Sequence, residues 1–225
     1  MNIGVILAAG LGSRMGSDLP KQFLPLDGKP ILVHSVQRFA ACEAIDEIVL
    51  AVPKTYLSYT KDILAQYFPD RSFYLIAGGH DRSETLCRLV DFIFETFAVD
   101  ENTILVTHDG VRPYVTERMI LENIEAAKAC GACNTVVPAV DTILISEDGA
   151  YITSVPDRNL LYHAQTPQSF SAVKLKKLLD RLSLAQLSHM TDGCSVFVAC
   201  GEPVRLVRGS SENIKITYPS DLKQV

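Results

Sequence analysis

The chain has 225 residues, 48% hydrophobic and 21% charged, enough to bury one sizeable core, so the default expectation is a single soluble α/β domain over residues 1–225. Its formal charge of −5 argues against a broad nucleic-acid surface. It has no apolar window of about eighteen residues, and its short N-terminal apolar run lacks a basic flank, so neither a membrane span nor a secretory signal is expected and the cytoplasm is the expected location.

The first element is a strand at 3–7 that opens into Ala8-Ala9-Gly10-Leu11-Gly12-Ser13-Arg14-Met15-Gly16 and then Pro20-Lys21-Gln22. Glycines let the backbone approach a ligand and offer it N–H groups, and Arg14 and Lys21 add charge that a purely structural turn does not need. The spacing of Gly10, Gly12 and Gly16 is one residue too long for the dinucleotide fingerprint, and no P-loop pattern is present. A glycine loop after a first strand is a tight turn about as often as a phosphate site; the two cations tip the balance toward a nucleotide phosphate.

Further strands are expected at 47–52, 73–76, 104–107 and 135–138, alternating with helices at 31–40, 57–67, 83–97 and 117–129. Such alternation predicts a mostly parallel sheet covered on both faces, a Rossmann-like three-layer arrangement. Thr116 is a suitable N-cap for the last of these helices. The rhythm then changes: 141–145 and 151–155 flank Asp148-Gly149 as a hairpin, which predicts a projecting arm at about 139–160 and, from its position, a homodimer contact. A helix at 175–182 and strands at 196–199, 204–207 and 213–217 complete the pattern.

Polar clusters at strand ends are where an open α/β sheet binds ligands. Gly78-Gly79-His80-Asp81-Arg82-Ser83-Glu84-Thr85 follows the third strand, and a capped glycine turn explains it as well as a base or ribose site does. Thr107-His108-Asp109-Gly110-Val111-Arg112 places a carboxylate near a guanidinium, either as an exposed ion pair or as a holder of Mg²⁺ against a triphosphate. Lys215 lies in an alternating segment where a lone lysine is usually just solvated. Six cysteines are scattered through apolar patterns as free thiols; Cys130 and Cys133 form a C-x-x-C without the second pair that zinc requires.

Taken in order, Ala8-Ala9-Gly10-x-Gly12-x-Arg14-Met15, Pro20-Lys21-Gln22, Gly78-Gly79-x-x-Arg82, His108-Asp109-x-x-Arg112-Pro113, Asp141-Thr142, Gln165-Thr166-Pro167-Gln168-x-Phe170, Thr191-Asp192 and Asn213-Ile214-Lys215-Ile216-Thr217 span nearly the whole chain. The series resembles the CTP-dependent polyol-phosphate cytidylyltransferases. That resemblance implies attack by a polyol phosphate oxygen on the α-phosphorus of CTP, with release of pyrophosphate. It assigns Arg14, Lys21 and Lys215 as catalytic, and Leu7, Ala8, Ala9, Gly10, Gly12, Arg14, Lys21, Gly79, His80, Arg82, Thr85 and Asp109 to CTP. It gives Asp109, Arg112, Thr142, Arg158, Thr166 and Lys215 to the polyol phosphate, Asp109 to Mg²⁺ or another divalent cation, and Arg158 to the active site of a partner subunit in a homodimer.

Within this family, Val111, Val140-Asp141-Thr142-Ile143 without a following lysine, and Leu161-Tyr162 resemble the branch acting on ribitol 5-phosphate, which is the substrate expected. Gly209-Ser210 and Tyr218-Pro219-Ser220-Asp221-Leu222 resemble the 2-C-methyl-D-erythritol 4-phosphate branch, the alternative, and His80 stands where some relatives carry an acid. A nicotinamide-dependent dehydrogenase would need a ribose-binding acid after the second strand, and Leu50-Ala51-Val52-Pro53-Lys54 offers none. A non-catalytic nucleotide sensor would not need Arg14, Lys21, Asp109 and Lys215 together.

Overall fold

A computed structural model describes residues 1–10, 16 and 19–223. Strand β1 (Asn2–Leu7) leads to a two-stranded ribbon, β2 (Pro25–Leu26) and β3 (Lys29–Pro30), and to helix α1 (Ile31–Ala40). Then come β4 (Glu47–Val52), α2 (Leu57–Tyr67), β5 (Tyr74–Ala77), α3 (Arg82–Thr96), β6 (Ile104–Asp109), α4 (Glu117–Cys130) and β7 (Ala132–Pro138). The chain closes with β8 (Tyr162–Ser171), α5 (Ala172–Leu179), α6 (Leu184–Leu187), α7 (Gly193–Ala199) and β9 (Arg205–Arg208).

Seven strands form one sheet in the order β5-β4-β1-β6-β8-β7-β9. The β5-β4-β1-β6 run and the β7-β9 pair are parallel, and β8 is antiparallel to both of its neighbours. Alternation along the strands divides the core. Ile6, Ile48, Leu50, Val52, Ile104 and Val106 pack with α1, α2 and α4 on one face. Ile3, Val5, Val49, Ala51 and Leu105 pack with α3, α5 and α7 on the other. Burial on both faces is why these strands are nearly continuous apolar runs. Thr116 caps α4, accepting from the Met119 N–H at 3.4 Å, and Gly131 ends it at φ 84°, in the left-handed region that glycine enters without steric cost.

Three expectations are corrected. Residues 196–199 lie in helix α7, because Asp192 accepts from the Ser195 N–H at 2.8 Å and starts a helix whose Cys194, Val196 and Phe197 enter the core. A four-residue apolar run cannot by itself distinguish strand from buried helix. Residues 213–217 form no strand; they cross the mouth of the sheet, pinned where the Ile216 N–H donates to the Val111 carbonyl at 2.9 Å. The arm is not a regular hairpin: antiparallel pairing there is the single bridge between Ile145 and Ser154.

Strand β8 was not anticipated, since Gln165, Thr166, Gln168 and Ser169 are polar yet buried. Hydrogen bonds sustain the burial of Gln165, Thr166 and Gln168. The Thr107 hydroxyl donates to the Gln168 carbonyl at 2.8 Å, and Gln168 Nε2 donates to Asp192 at 2.6 Å. No helix among the described residues is long and apolar enough to cross a membrane.

Candidate active site

Parallel pairing brings the C-terminal ends of β1, β4, β5 and β6 to one edge, with Leu7 in register with both Ala51 and Asp109. At that edge lie two adjoining compartments. One, about 200 Å³, is lined by Leu7, Ala9, Gly10, Gly79, His80, Asp81, Arg82 and Thr85. The other, about 240 Å³, is lined by Leu7, Ala8, Gly10, Lys21, Gln22, Arg82, Asp109, Val111, Lys215 and Thr217. Leu7, Gly10 and Arg82 border both, so the pair forms one elongated cleft over the sheet edge.

The first compartment is held by its own loop. Asp81 caps α3, accepting from the Glu84 N–H at 2.8 Å, and Thr85 Oγ1 accepts from the Gly79 N–H at 2.9 Å while donating to the Asp81 carbonyl at 2.7 Å. The Thr85 hydroxyl therefore shapes the loop. Glu84 is likewise engaged, by the His80 N–H and by Arg88. Gly78 is required by close approach, since a Cβ there would lie 2.1 Å from the Ala9 Cβ. A Cβ on Gly10 would meet nothing within 4 Å among the described residues, and Gly10 borders the cleft.

The second compartment is built around Asp109. Its Oδ1 lies 2.6 Å from Arg82, and its Oδ2 lies 2.9 Å from Lys215 and 3.5 Å from Arg112 Nε. Burial alone would raise the Asp109 pKa, but the combined pull of Arg82, Lys215 and Arg112 prevails and holds the carboxyl well below its usual range. Three cations around one carboxylate leave an excess of positive charge suited to a polyphosphate. The Asp109–Arg112 pair is buried, which corrects the reading of it as an exposed ion pair, and Arg112 also donates to the Asn213 carbonyl at 2.8 Å.

Lys21 donates to the Ile216 carbonyl at 3.0 Å, tying the start of the chain to the C-terminal segment that carries Lys215. Gln22 is buried and donates to the carbonyls of Ala8 and Gly10 at 2.7 and 3.0 Å, fixing the entry of the glycine loop. Thr166 accepts from the Asp109 N–H at 3.0 Å and lies 2.9 Å from His108 Nδ1. Fully buried His108 has its pKa pushed down to about 4 by burial, so its ring is neutral at neutral pH.

The structure thus brings together Leu7, Ala8, Ala9, Gly10, Lys21, Gly79, His80, Arg82, Thr85, Asp109, Arg112, Thr166 and Lys215. Gly12 and Arg14 lie outside the described residues. Thr142 and Arg158 are on the arm and line neither compartment; Arg158 donates to the Val140 carbonyl at 2.9 Å. Sequence reasoning did not assign Gln22, His108 or Asn213 a structural part in the site, although all three stood inside the quoted motifs. Their signal is polarity inside an otherwise apolar context, and its meaning depends on partners distant in sequence. Cys133 is a core thiol rather than a ligand: it donates to Asn123 at 3.2 Å and burial pushes its pKa up to about 12.

Asp109 is the one carboxylate among the described residues of the second compartment. A single hard oxygen donor fits Mg²⁺, which ordinarily takes one or two carboxylates and completes its shell with phosphate oxygens and water.

The sequence model of the family described as 2-C-methyl-D-erythritol 4-phosphate cytidylyltransferase (IspD) matches residues 3–225. Among solved structures, 4-diphosphocytidyl-2C-methyl-D-erythritol synthase from Anaerococcus prevotii is 29% identical, with a TM-score of 0.83 over 99% of this chain and 93% of that one. The 2-C-methyl-D-erythritol 4-phosphate cytidylyltransferase of Francisella tularensis is 26% identical, with a TM-score of 0.83 over 99% and 97% of the two chains. The enzyme of the same name from Thermus thermophilus is 26% identical, with a TM-score of 0.72 over 98% and 95%.

Proposed function

The chain belongs to the 2-C-methyl-D-erythritol 4-phosphate cytidylyltransferase family, and from that premise we propose that it transfers CMP from CTP to 2-C-methyl-D-erythritol 4-phosphate, releasing pyrophosphate. The reaction class is nucleotidyl transfer, as the family's name states. For the polyol, the family match over residues 3–225 outweighs the lean of Val111 and segment 140–143 toward ribitol 5-phosphate, and none of the relatives named above is described as acting on ribitol phosphate.

The observation that carries the chemistry is the convergence of Arg82, Arg112 and Lys215 on Asp109 at the mouth of the cleft. The cytidine occupies the compartment of Ala9, Gly10, Gly79 and His80, and its triphosphate extends toward Lys21 and Lys215. A phosphate oxygen of the polyol phosphate, already an anion and needing no base, forms a bond to the α-phosphorus; the bond to the bridging oxygen of the β-phosphate breaks, and pyrophosphate leaves with its electron pair. Lys21 and Lys215 offset the charge that grows on the equatorial and leaving oxygens, and Arg112 orients the incoming phosphate. Asp109 and the triphosphate oxygens would hold Mg²⁺, which when bound supplies further charge neutralisation.

Thr142 and Arg158 take their part from the arm of a second copy, so the working unit is a homodimer. The arm's exposed Val140, Leu144, Ile145, Tyr151, Ile152 and Val155 support that reading, because a strip of large apolar side chains on a projecting segment favours a protein partner.

The test is pyrophosphate release from CTP and Mg²⁺ with 2-C-methyl-D-erythritol 4-phosphate or D-ribitol 5-phosphate as acceptor. A kcat/KM at least about a hundredfold higher for the methylerythritol compound is expected. Preference for ribitol 5-phosphate would overturn the assignment of the polyol while leaving the reaction class standing.

A further inference from the structure

His108 is hydrogen-bonded at both ends of its ring, and its partners determine where the protons are. Nε2 lies 3.0 Å from the Arg112 carbonyl, which can only accept, so Nε2 carries the hydrogen. Nδ1 faces the Thr166 hydroxyl at 2.9 Å, and with Nε2 carrying the ring hydrogen and the Thr166 oxygen already engaged by a backbone N–H, the hydroxyl hydrogen is the one directed at Nδ1. That hydroxyl oxygen in turn accepts from the Asp109 N–H at 3.0 Å. Every proton in the series from Asp109 N–H through Thr166 and His108 to Arg112 therefore has one direction.

We propose that His108 is a positioning residue for nucleotidyl transfer: as the Nε2–H tautomer it braces the 108–112 turn at both ends and commits the Thr166 proton to the protein. The turn carries both members of the buried pair, Asp109 and Arg112, whose groups must meet the metal and the incoming phosphate at fixed places. His108 is itself fully buried, with its ring centroid 5.2 Å from that of Phe39, so it acts through the turn and touches no substrate. With its proton spent on Nδ1, Thr166 has only a lone pair left to offer. It can accept from a polyol hydroxyl but has nothing to donate to a phosphate oxygen. The identity of the polyol rests on the function proposed above; the proton order does not.

Two measurements separate these parts. In protein labelled with ¹⁵N-histidine, long-range ¹H–¹⁵N correlation is expected to show His108 protonated at Nε2 and bare at Nδ1, with the signal assigned by its loss in His108→Gln. In turnover, Thr166→Val removes the hydroxyl. It is expected to raise KM for the polyol phosphate about tenfold, the worth of one hydrogen bond, while moving KM for CTP less than about twofold. Thr166→Ser restores the hydroxyl and is expected to recover most of that loss, and Thr166→Val alone shifts the His108 Nδ1 resonance. A ring protonated at Nδ1, or a Thr166→Ser variant as impaired as Thr166→Val, would overturn the proposal. Should His108→Gln fail to fold, the shift in Thr166→Val makes the assignment. The spectrum needs no polyol, so its result stands apart from any failure of methylerythritol phosphate as substrate.

Discussion

The Lys215 ammonium lies 2.9 Å from Asp109 Oδ2, which joins the irregular C-terminal segment to the end of a central strand and places a partly exposed cation beside a buried anion. The Lys215 side chain is 38% exposed, so the pair is screened and contributes little to folding, but the same exposure lets the ammonium exchange Asp109 for a phosphate oxygen. Lys215→Met is therefore expected to lower kcat by about 10²–10³-fold, as for loss of one preorganised charge at a transition state. The urea midpoint should stay close to that of the wild type. Pyrophosphate release and an equilibrium denaturation curve check the two halves, and a variant with normal kcat would remove Lys215 from the catalytic set.

Gly78→Ala tests how tightly the two cleft loops approach one another. The added methyl would lie 2.1 Å from the Ala9 Cβ and 3.3 Å from Thr85 Oγ1, so the loop must move as a whole. Overpacking of this kind costs about 1–3 kcal/mol. Because the displaced loop also carries Gly79 and His80, KM for CTP should rise more than KM for the polyol phosphate. Denaturation in urea and initial rates at varied CTP decide it; equal stability with an unchanged KM would show that the loops yield freely.

The first four strands of the main sheet and their helices were legible because burial on both faces writes itself as apolar runs and regular helical spacing, and α1, α2 and β4 match their expected limits residue for residue. Strand β8 was illegible for the opposite reason. Most of its buried residues are polar, and their hydrogen bonds reach far along the chain, such as from Gln168 to Asp192 and from Asn213 to the Thr166 carbonyl. The site divides in the same way. Asp109, Arg112 and Lys215 were named from motif order, but that three cations converge on one carboxylate follows from the parallel register and from the crossing of 213–217, which local spacing does not encode.

His108 has a consequence for acid stability. Burial pushes its pKa from the ordinary 6.5 to about 4, so between those values the unfolded chain binds a proton that the native protein does not. Stability rises with pH wherever the unfolded state holds more protons. The contribution is complete above about pH 6.5 and is lost as pH falls through about 4, amounting to about 3 kcal/mol. Asp109, held below its usual range by Arg82, Lys215 and Arg112 against the effect of burial, adds a loss that begins only below the ordinary 3.8. Urea unfolding of metal-free protein from pH 7.5 to 4.5 should show the first slope, and His108→Phe, which cannot charge, should lack it. Equal slopes would contradict a buried neutral ring.

The arm carries the remaining prediction, because its composition and its architecture conflict in a single chain. Val140, Tyr151 and Leu160 are 79%, 77% and 76% exposed, on a segment whose own pairing is one bridge between Ile145 and Ser154. One bridge does little to offset the ordering of so many residues, and the homodimer proposed above would cover these side chains with a second copy. The double variant Tyr151→Glu, Ile152→Glu places two charges in that contact without touching the cleft. Sedimentation equilibrium should change from dimer to monomer. If Thr142 and Arg158 reach the partner's cleft, the monomer should lose about tenfold to a hundredfold in kcat/KM for the polyol phosphate, the range for a charge-assisted hydrogen bond, with KM for CTP little changed. A monomer retaining full kcat/KM would confine the arm to assembly, and a wild-type protein that sediments as a monomer would leave Thr142 and Arg158 without a cleft to serve.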